Sequence, residues 1–412
     1  MMKIRFFVLW CLAVLAVVGS AYGTPATAAT VGSAKSGSQL AAADDLIVGF
    51  ILVGPQEDKG WSEAHYTAAQ YVEQKIPGVK KIILDKLNTA DRPNITLDQV
   101  VDGMKSEGAT LIFTTSDAFQ DDTTATAKKN PDITFINVSG DEVLKGTAPK
   151  NLGNVMGRME YMKMVGGCAA ALASQKGSIG YLGPLINDET RRLASSAFLG
   201  ARYCYEKYRK LDPAKLQFQV LWIGFWFNIP GVTQNPTEVA NQFYDSGTDV
   251  VMSGIDTPEA IVVAKQRADK GEKVFAVPYD YKGACALGPK VCLGVPYFNW
   301  GPAYVKIIGD FKAGNWKQSW DWNGPDWKDI NNVDTSAVGF VKGDGLTKDQ
   351  QDTLDKFIAE LANGLNLFTG PMNYQDSTVF LDPGKPATDS QIWYLKQLLQ
   401  GMKGDSAPKK TS

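Results

Sequence analysis

The chain contains 412 residues, of which 44% are apolar and 10% aromatic, so it is long enough for two or three domains and too apolar to be disordered throughout. Forty-two basic and 44 acidic residues give a net charge of −2 without a long basic run, which argues against a nucleic-acid partner. The single histidine, His65, argues against a His-bearing catalytic triad and a multi-histidine metal site. The composition therefore favours binding over catalysis.

The N-terminus has the pattern of a secretory signal peptide. Lys3 and Arg5 precede an apolar run over 6–18, which is followed by small residues. We predict a signal peptide over 1–28, a flexible leader rich in Ala, Ser and Gly over 29–44, and a disordered tail over 403–412. The chain is then exported to the periplasm or another extracytoplasmic space. The alternative is an uncleaved anchor helix, for which the apolar run is short.

Four cysteines remain after Cys11 is removed with the signal peptide: Cys168, Cys204, Cys285 and Cys292. An even number in an oxidising compartment favours disulfides, with three connectivities. A Gly-Pro turn between the last two makes Cys285–Cys292 the favoured pair. The other two fall on neighbouring predicted helices and form a candidate second pair, and four buried free thiols are the alternative.

In chain order, short apolar runs alternate with helical patterns. Strands are predicted over 46–53, 81–84, 111–114 and 133–138, and helices over 62–75, 97–107 and 122–129. The pattern then begins again, with helices over 160–174, 190–209, 237–246 and 258–270 and strands over 178–182, 217–223, 249–252 and 273–277. Such alternation is typical of parallel sheets with helices on both faces. It predicts an α/β protein with two doubly wound, Rossmann-like lobes and a cleft between them.

The segments that follow the predicted strands carry polar and aromatic side chains. Ligands of such sheets bind beyond the carboxyl ends of the strands, which makes these residues candidates for binding: Asp58, Trp61, Ser116, Asp117, Asp121, Trp226, Asp256, Thr257 and Asp280. Carboxylates accept hydrogen bonds from N–H and hydroxyl groups, and tryptophan stacks planar rings. The set suits a polar, neutral or weakly basic heteroaromatic ligand and disfavours a phosphate. The alternative is that the aspartates cap helices and the tryptophans pack the lobes.

Catalytic motifs are absent from the expected places. The turn at 54–60 is neither GxGxxG nor a phosphate loop, and the chain has no GxSxG elbow. We therefore predict no catalytic residue, cofactor or metal. The enzyme alternative is a nucleoside hydrolase, which would need clustered aspartates around calcium. His65, one helical turn beyond Trp61, is expected to cap or pack that helix rather than to contact a ligand.

Several motifs resemble the basic membrane lipoprotein (BMP) family, the substrate-binding proteins of ABC importers. The stretch DKGWSEAHY at 58–66 resembles the family's first cleft loop, and further matches follow in order: IFTTS at 112–116, GYLG at 180–183, FLGAR at 198–202, NWGP at 299–302 and FTGP at 368–371. The resemblance implies a type I periplasmic-binding fold whose lobes are joined by hinge strands. Lobe 1 is expected over 45–157 plus 285–325, and lobe 2 over 158–284 plus 326–402.

The resemblance also implies a small-molecule ligand and two partners, an ABC permease and its ATPase, for a monomeric binding protein. Family members that bind purine nucleosides hold the base between two aromatics, which resemble Trp61 and Trp226 here. The family's ribose-binding aspartate resembles Asp280. Asn299 and Trp300 are further candidates for ligand contact in the NWGP motif.

Two positions depart from the nucleoside-binding pattern. Ser62 stands where the family has an asparagine, and Phe298 stands where it has a lysine. In lacking this lysine, the chain resembles the subgroup of the family that binds free bases. The expected ligand is therefore a purine base or, less favoured, a nucleoside. A binder of another planar or sugar-like solute and a periplasmic ligand sensor are the alternative functions.

Overall fold

The computed structural model of the protein describes residues 45–408. The predicted signal peptide and the predicted leader up to residue 44 lie outside the described residues. Within 45–408, no helix combines the length and the apolar character needed to cross a membrane.

The described chain begins with a strand and then alternates strands and helices. The strands are β1 (Leu46–Ile51), β2 (Val79–Leu84), β3 (Ala109–Thr114), β4 (Thr134–Val138), β5 (Leu152–Gly157), β6 (Ser178–Gly183), β7 (Gln217–Trp222), β8 (Val250–Ser253), β9 (Phe275–Val277), β10 (Gly294–Phe298), β11 (Trp320–Asn323), β12 (Val338–Lys342), β13 (Met372–Asn373), β14 (Val379–Leu381) and β15 (Met402–Lys403). The helices are α1 (Trp61–Lys75), α2 (Leu97–Ser106), α3 (Gln120–Lys129), α4 (Met159–Ala173), α5 (Asp188–Lys207), α6 (Pro236–Asp245), α7 (Glu259–Ala268), α8 (Gly301–Lys312), α9 (Lys348–Ala362) and α10 (Asp389–Trp393).

Two parallel sheets form the two lobes. The sheet of lobe 1 has the strand order β11-β5-β4-β3-β1-β2, and that of lobe 2 has the order β15-β7-β6-β8-β9. Every pairing in both sheets is parallel. Most residues of the central strands are apolar and buried because helices cover both faces of each sheet. The predicted architecture of two doubly wound lobes is confirmed.

An antiparallel ribbon, β10 with β12, connects the lobes. After β10 the chain forms α8, which packs on α1 of lobe 1, and after β12 it forms α9, which packs on α4 of lobe 2. Asp280, just after β9, forms a bridge with Tyr297 of β10, so the ribbon continues the edge of the lobe 2 sheet. These strands are the hinge between the two lobes.

Two predicted boundaries differ from the structure. Short turns over 284–291 belong with lobe 2, because Val291 and Leu287 pack into the apolar cluster that includes Ile261 of α7. The tail was predicted to be disordered from residue 403, yet β15 pairs with the edge strand β7. The indole N–H of Trp222 also donates to the carbonyl of Asp405 at 2.8 Å, so an exposed sheet edge orders this segment.

Both candidate disulfides are formed. Cys168 of α4 is joined to Cys204 of α5 with a Cα–Cα distance of 5.2 Å. Cys285 is joined to Cys292 with a Cα–Cα distance of 5.5 Å, which closes the short segment that packs on α7. One bridge ties two core helices of lobe 2 together and the other closes a local loop.

Candidate ligand-binding site

A cavity lies where the carboxyl ends of the strands of both lobes face each other. Lobe 1 contributes residues that follow β1, β3 and β4, and lobe 2 contributes residues that follow β6, β7, β8 and β9. The lining residues are Trp61, Ser116, Asp117, Ser139, Glu189, Trp226, Asp256 and Tyr279. The space that these residues surround, including its opening to solvent, is about 270 Å³. Aromatic walls with a few converging polar groups are typical of a small-molecule site.

The two predicted tryptophans reach this cavity from opposite lobes. Trp61 begins α1, and its indole N–H donates to the carbonyl of Thr115 at 2.7 Å, which fixes the ring. Trp226 lies in the loop after β7 and is 8% exposed, and its indole N–H lies near the carboxyl group of Asp117, whose charged form it stabilises. The Trp61 ring is therefore fixed within lobe 1, whereas the Trp226 ring of lobe 2 faces a carboxyl group of lobe 1.

The lobes touch beside the tryptophans. The backbone N–H of Trp61 donates to the carbonyl of Asp256 at 3.4 Å, which is a hydrogen bond from lobe 1 to lobe 2. Gly60 makes this approach feasible, because a Cβ at that position would lie 1.6 Å from the same carbonyl oxygen. The contact between the loop that ends in Gly60 and the loop after β8 closes the cleft at this point.

Three aspartates share an environment that disfavours their charged form. Burial, reinforced by the charge of Glu189, raises the pKa of Asp117 to about 7. Burial together with the charge of Asp280 raises the pKa of Asp256 well above its usual range. Burial does the same to the pKa of Asp280, against the opposing charge of Lys163, and neither carboxyl oxygen of Asp280 has a hydrogen-bond partner. At neutral pH the group therefore holds protons, and it can donate hydrogen bonds as well as accept them.

A buried lysine beneath the cavity escaped the sequence analysis. Lys163 of α4 is fully buried, donates to the carbonyl of Ser253 at 2.7 Å and lies 3.1 Å from the ring centroid of Tyr279. Burial lowers its pKa well below the usual range, although the charge of Asp280 opposes this. The signal in the sequence was a lysine inside an otherwise apolar helical stretch.

Glu189 and Ser139 were also missed. Glu189 lies in the first turn of α5, after β6, and accepts a hydrogen bond from the hydroxyl of Ser139, after β4. Both therefore lie beyond the carboxyl ends of parallel strands, which is the position from which the other candidates were predicted. Arg192, which is 2% exposed, lies 3.7 Å from Glu189 and donates to Glu160 at 2.7 Å, so its charge is already compensated.

Six predicted residues do not line the cavity, and Asp280, whose carboxyl group is described above, is one of them. Asp58 is an N-terminal cap of α1, since it accepts from the N–H groups of Gly60, Ser62 and Glu63 at 2.8–2.9 Å. Burial raises its pKa to about 6 even though these bonds lower it. Thr257 donates to Glu259 at 2.6 Å at the start of α7.

The other three lie farther from the cavity. Asp121 is exposed in the first turn of α3, where a negative charge stabilises the helix N-terminus. The Asn299 amide donates to the carbonyls of Val333 and Ser336 at 3.0 and 2.7 Å and so ties down a loop. Trp300 is 2% exposed and packs in an aromatic stack rather than in the cleft. In these cases capping and packing account for the side chains.

His65 packs in the core as expected. Its ring is fully buried, stacks on Trp300 with centroids 4.5 Å apart, and shares a 2.6 Å hydrogen bond with the hydroxyl of Tyr304. Burial lowers its pKa well below the usual range, so it stays neutral. Among the residues described, no group of three or more His, Cys, Asp and Glu side chains is arranged to hold a metal ion.

The two lobes, and the cavity at the facing carboxyl ends of their strands, have the arrangement of the type I periplasmic-binding fold. A solute-binding protein of an ABC transporter system from Aeropyrum pernix K1 superposes with a TM-score of 0.59 at 14% identity, over 80% of this chain and 93% of that one. This likeness shows the shared fold.

The chain belongs to the Bmp family, described as ABC transporter substrate-binding protein PnrA-like, whose model matches residues 46–361. It is 28% identical to a purine-binding protein of Brucella abortus (strain 2308), over 91% of this chain and 97% of that protein. It is 25% identical, over 67% of this chain and 63% of the relative, to a protein of Haloferax volcanii whose name proposes glucose binding for an ABC transporter. The family consists of substrate-binding proteins, not enzymes. This protein is therefore a substrate-binding protein of an ABC transporter.

Proposed function

We propose that this protein captures a purine nucleobase between Trp61 and Trp226, outside the cytoplasm, and delivers it as a monomer to the permease of an ABC importer. The observation that carries the proposal is the cavity itself, to which each lobe contributes one tryptophan beside a carboxyl group, Asp117 or Asp256. The likeness to a purine-binding relative over nearly the whole chain supports it.

The chemistry of the lining suits a purine. Each base–aromatic stack contributes about 1–3 kcal/mol, and two tryptophans offer a stack on both faces of a ring. A purine edge presents ring nitrogens that accept beside N–H groups that donate. The raised pKa values of Asp117 and Asp256 supply the complement, a protonated carboxyl that donates through O–H and accepts through its carbonyl oxygen.

The lining also disfavours anionic ligands. Asp117, Asp256 and Glu189 line the cavity, and no Lys or Arg is among its lining residues. A phosphate would meet acidic side chains and no cation to balance its charge, and any proton that these side chains lose would add repulsion, so nucleotides are disfavoured.

A free base is favoured over its nucleoside. Phe298 occupies the position of the family's lysine, is 3% exposed and packs edge-on against Trp61 with ring centroids 5.2 Å apart. No ammonium group replaces that lysine on the cavity lining, and the nearby Lys163 already donates to Ser253. Ribose hydroxyls would therefore lose hydrogen bonds to water, which costs about 1–3 kcal/mol for each buried unpaired group.

Calorimetry of the purified protein tests the proposal. The affinities for adenine and hypoxanthine are compared with those for adenosine, inosine and glucose. The titrations with the two bases are then repeated with the Trp61→Ala and Trp226→Ala variants. We expect a base to bind and each variant to lose about 1–3 kcal/mol of affinity. The matched control is Trp316→Ala, a half-buried tryptophan that packs against Gly153 away from the cavity.

Three outcomes would contradict the proposal. If glucose binds and no purine or nucleoside does, the ligand is a sugar and not a purine. If both tryptophan variants bind the base with unchanged affinity, and thermal unfolding shows that both are folded, the base is not stacked between the tryptophans. Release of hypoxanthine from inosine in more than stoichiometric amount would indicate a hydrolase instead.

A further inference from the structure

Two hydrogen bonds between side chains cross the cleft in opposite directions. The Asn187 amide of lobe 2 donates to the Asp117 carboxyl group of lobe 1 at 2.9 Å. The Ser139 hydroxyl of lobe 1 donates to the Glu189 carboxyl group of lobe 2. Both carboxyl groups belong to residues that line the cavity. Each lobe therefore holds an acidic side chain that the other lobe contributes to the site, and we call these four residues the interlobe clasp.

The orientation of the Asn187 amide follows from its place at the start of α5. Asn187 is the N-cap of this helix, and its side-chain oxygen accepts from the backbone N–H of Thr190 at 2.9 Å. The backbone N–H of Asn187 donates to the Thr190 hydroxyl at 3.0 Å, which completes a capping box. Because the amide oxygen faces the helix, the NH2 group faces Asp117. The cap thus directs a hydrogen-bond donor at the opposite lobe.

Ser139 has a backbone conformation that serine adopts at a cost. It lies directly after β4 and has a φ of +68°, in the left-handed region that favours glycine. The residue is 8% exposed, and its hydroxyl meets Glu189 across the cleft. Backbone strain of this kind is concentrated at functional sites. A glycine would relieve the strain but lose the hydrogen bond between the lobes.

The clasp brings together two acidic groups that repel each other when both are charged. Burial and the charge of Glu189 raise the pKa of Asp117 to about 7. The other charged and titratable groups that interact with this pair come from the elements around it: Glu160, Lys163, Tyr181, Arg192, Asp256, Tyr279 and Asp280. The two cations of this set donate elsewhere, Lys163 to Ser253 and Arg192 to Glu160, both at 2.7 Å. Neutral donors from the opposite lobe therefore hold the pair in place.

We propose that Asn187 and Ser139 are positioning residues, which orient Asp117 and Glu189 towards the ligand only when the lobes close. Opening of the cleft breaks both hydrogen bonds, so the two acidic side chains lose their fixed orientation. Ligand binding and closure are coupled through the clasp for any ligand of this cavity. Measurements of base affinity rest on the proposed function, whereas measurements of compactness without a ligand do not.

Asn187→Ser and Ser139→Gly remove the two donors. Serine is a favoured N-cap, so Asn187→Ser keeps the start of α5 but not the reach to Asp117, and Asn235→Ser at the exposed N-cap of α6 is its matched control. Ser377→Gly, at an exposed residue with a φ of +70°, is the matched control for Ser139→Gly. We expect each clasp variant to bind adenine about tenfold or more weakly in calorimetry, with the melting temperature of its control. The controls should bind like the wild type.

Asn187→Asp keeps the cap but replaces the donor with a carboxylate that faces Asp117. At pH 5 a protonated Asp117 can donate to this carboxylate, so the adenine affinity should be close to that of the wild type. At pH 9 both groups are charged, and we expect about a tenfold or greater loss. Small-angle scattering without a ligand should show the variant less compact than the wild type at pH 9 and equally compact at pH 5. A defect in the helix cap alone would not follow this pH profile.

The outcomes separate the clasp from the ligand class. If adenine does not bind the wild type, the proposed function fails and scattering decides on the clasp. Wild-type adenine affinity in both Asn187→Ser and Ser139→Gly would overturn the clasp, and so would equal compactness of Asn187→Asp and the wild type at pH 9. Equal losses of affinity in the matched controls would also overturn it, since helix capping or backbone conformation would then account for the effect.

Discussion

The contact between Gly60 and Asp256 gives a direct test of how the cleft closes. In Gly60→Ala, the new Cβ would lie 1.6 Å from the carbonyl oxygen of Asp256, where an ordinary contact begins near 3.4 Å. The two loops must therefore separate by about 1.8 Å. Hydrogen bonds hold each loop in place: the backbone N–H of Gly60 donates to the Asp58 carboxylate at 2.8 Å, and the backbone N–H of Asp256 donates to the carbonyl of Trp226 at 2.9 Å. We expect the lobes to separate instead.

The cost of this separation follows from the stacking arrangement. Lobes held apart cannot place Trp61 and Trp226 against both faces of one ring, so one stack is lost. That loss is about 1–3 kcal/mol, or about five- to 150-fold in the affinity for adenine or hypoxanthine. Calorimetry measures the affinity, and small-angle scattering measures whether the base still makes the protein more compact. Thermal unfolding without the base should change little, because each lobe keeps its own core.

Gly103→Ala is the matched control, since Gly103 lies on α2 and a Cβ there meets no atom within 4 Å. It should bind like the wild type. If Gly60→Ala binds a base with wild-type affinity and compacts to the same extent, then closure does not depend on this contact and the reasoning fails.

Three further predictions concern selectivity, pH and the disulfides. Adenine should bind about tenfold or more tightly than adenosine, and calorimetry that shows equal affinities would contradict the argument from the missing lysine. The folded pKa of Asp117 is about 7 against an ordinary value of 3.8, so the folded chain holds a proton that the unfolded chain releases as the pH rises between these values. The stability of the wild type relative to Asp117→Asn should therefore fall from about pH 4 to about pH 7 and level off above, and a difference in melting temperature that does not vary with pH would refute this. The Cys168–Cys204 bridge spans 36 residues and the Cys285–Cys292 bridge spans 7, so chain entropy predicts stabilisation of about 4 and about 2 kcal/mol, measured by denaturant unfolding of the paired Cys→Ala variants. An equal or reversed order would show that loop length does not govern their effect.

The alternation of strands and helices was predictable from the sequence as far as residue 277, because hydrophobic periodicity is a local property of the chain. The predicted strand at 178–182 and helix at 97–107, for example, match β6 and α2 within one residue at each end. The rule of strand ends then identified Trp61, Asp117, Trp226 and Asp256 without contact information, because carboxyl ends of parallel strands share one edge of a sheet.

What each side chain does there depended on neighbours that are distant in the sequence. Asp58 and Asp256 both follow strands. The Asp58 carboxylate accepts hydrogen bonds from the N-terminus of α1, whereas Asp256 lines the cavity. Lys163 belongs to the site only because α4 packs beneath the loop that carries Tyr279. The sequence thus determined the elements and the edge of each sheet at which the cavity lies. Only the tertiary structure decided which polar groups lose water together, because burial and charge coupling arise when the two lobes meet.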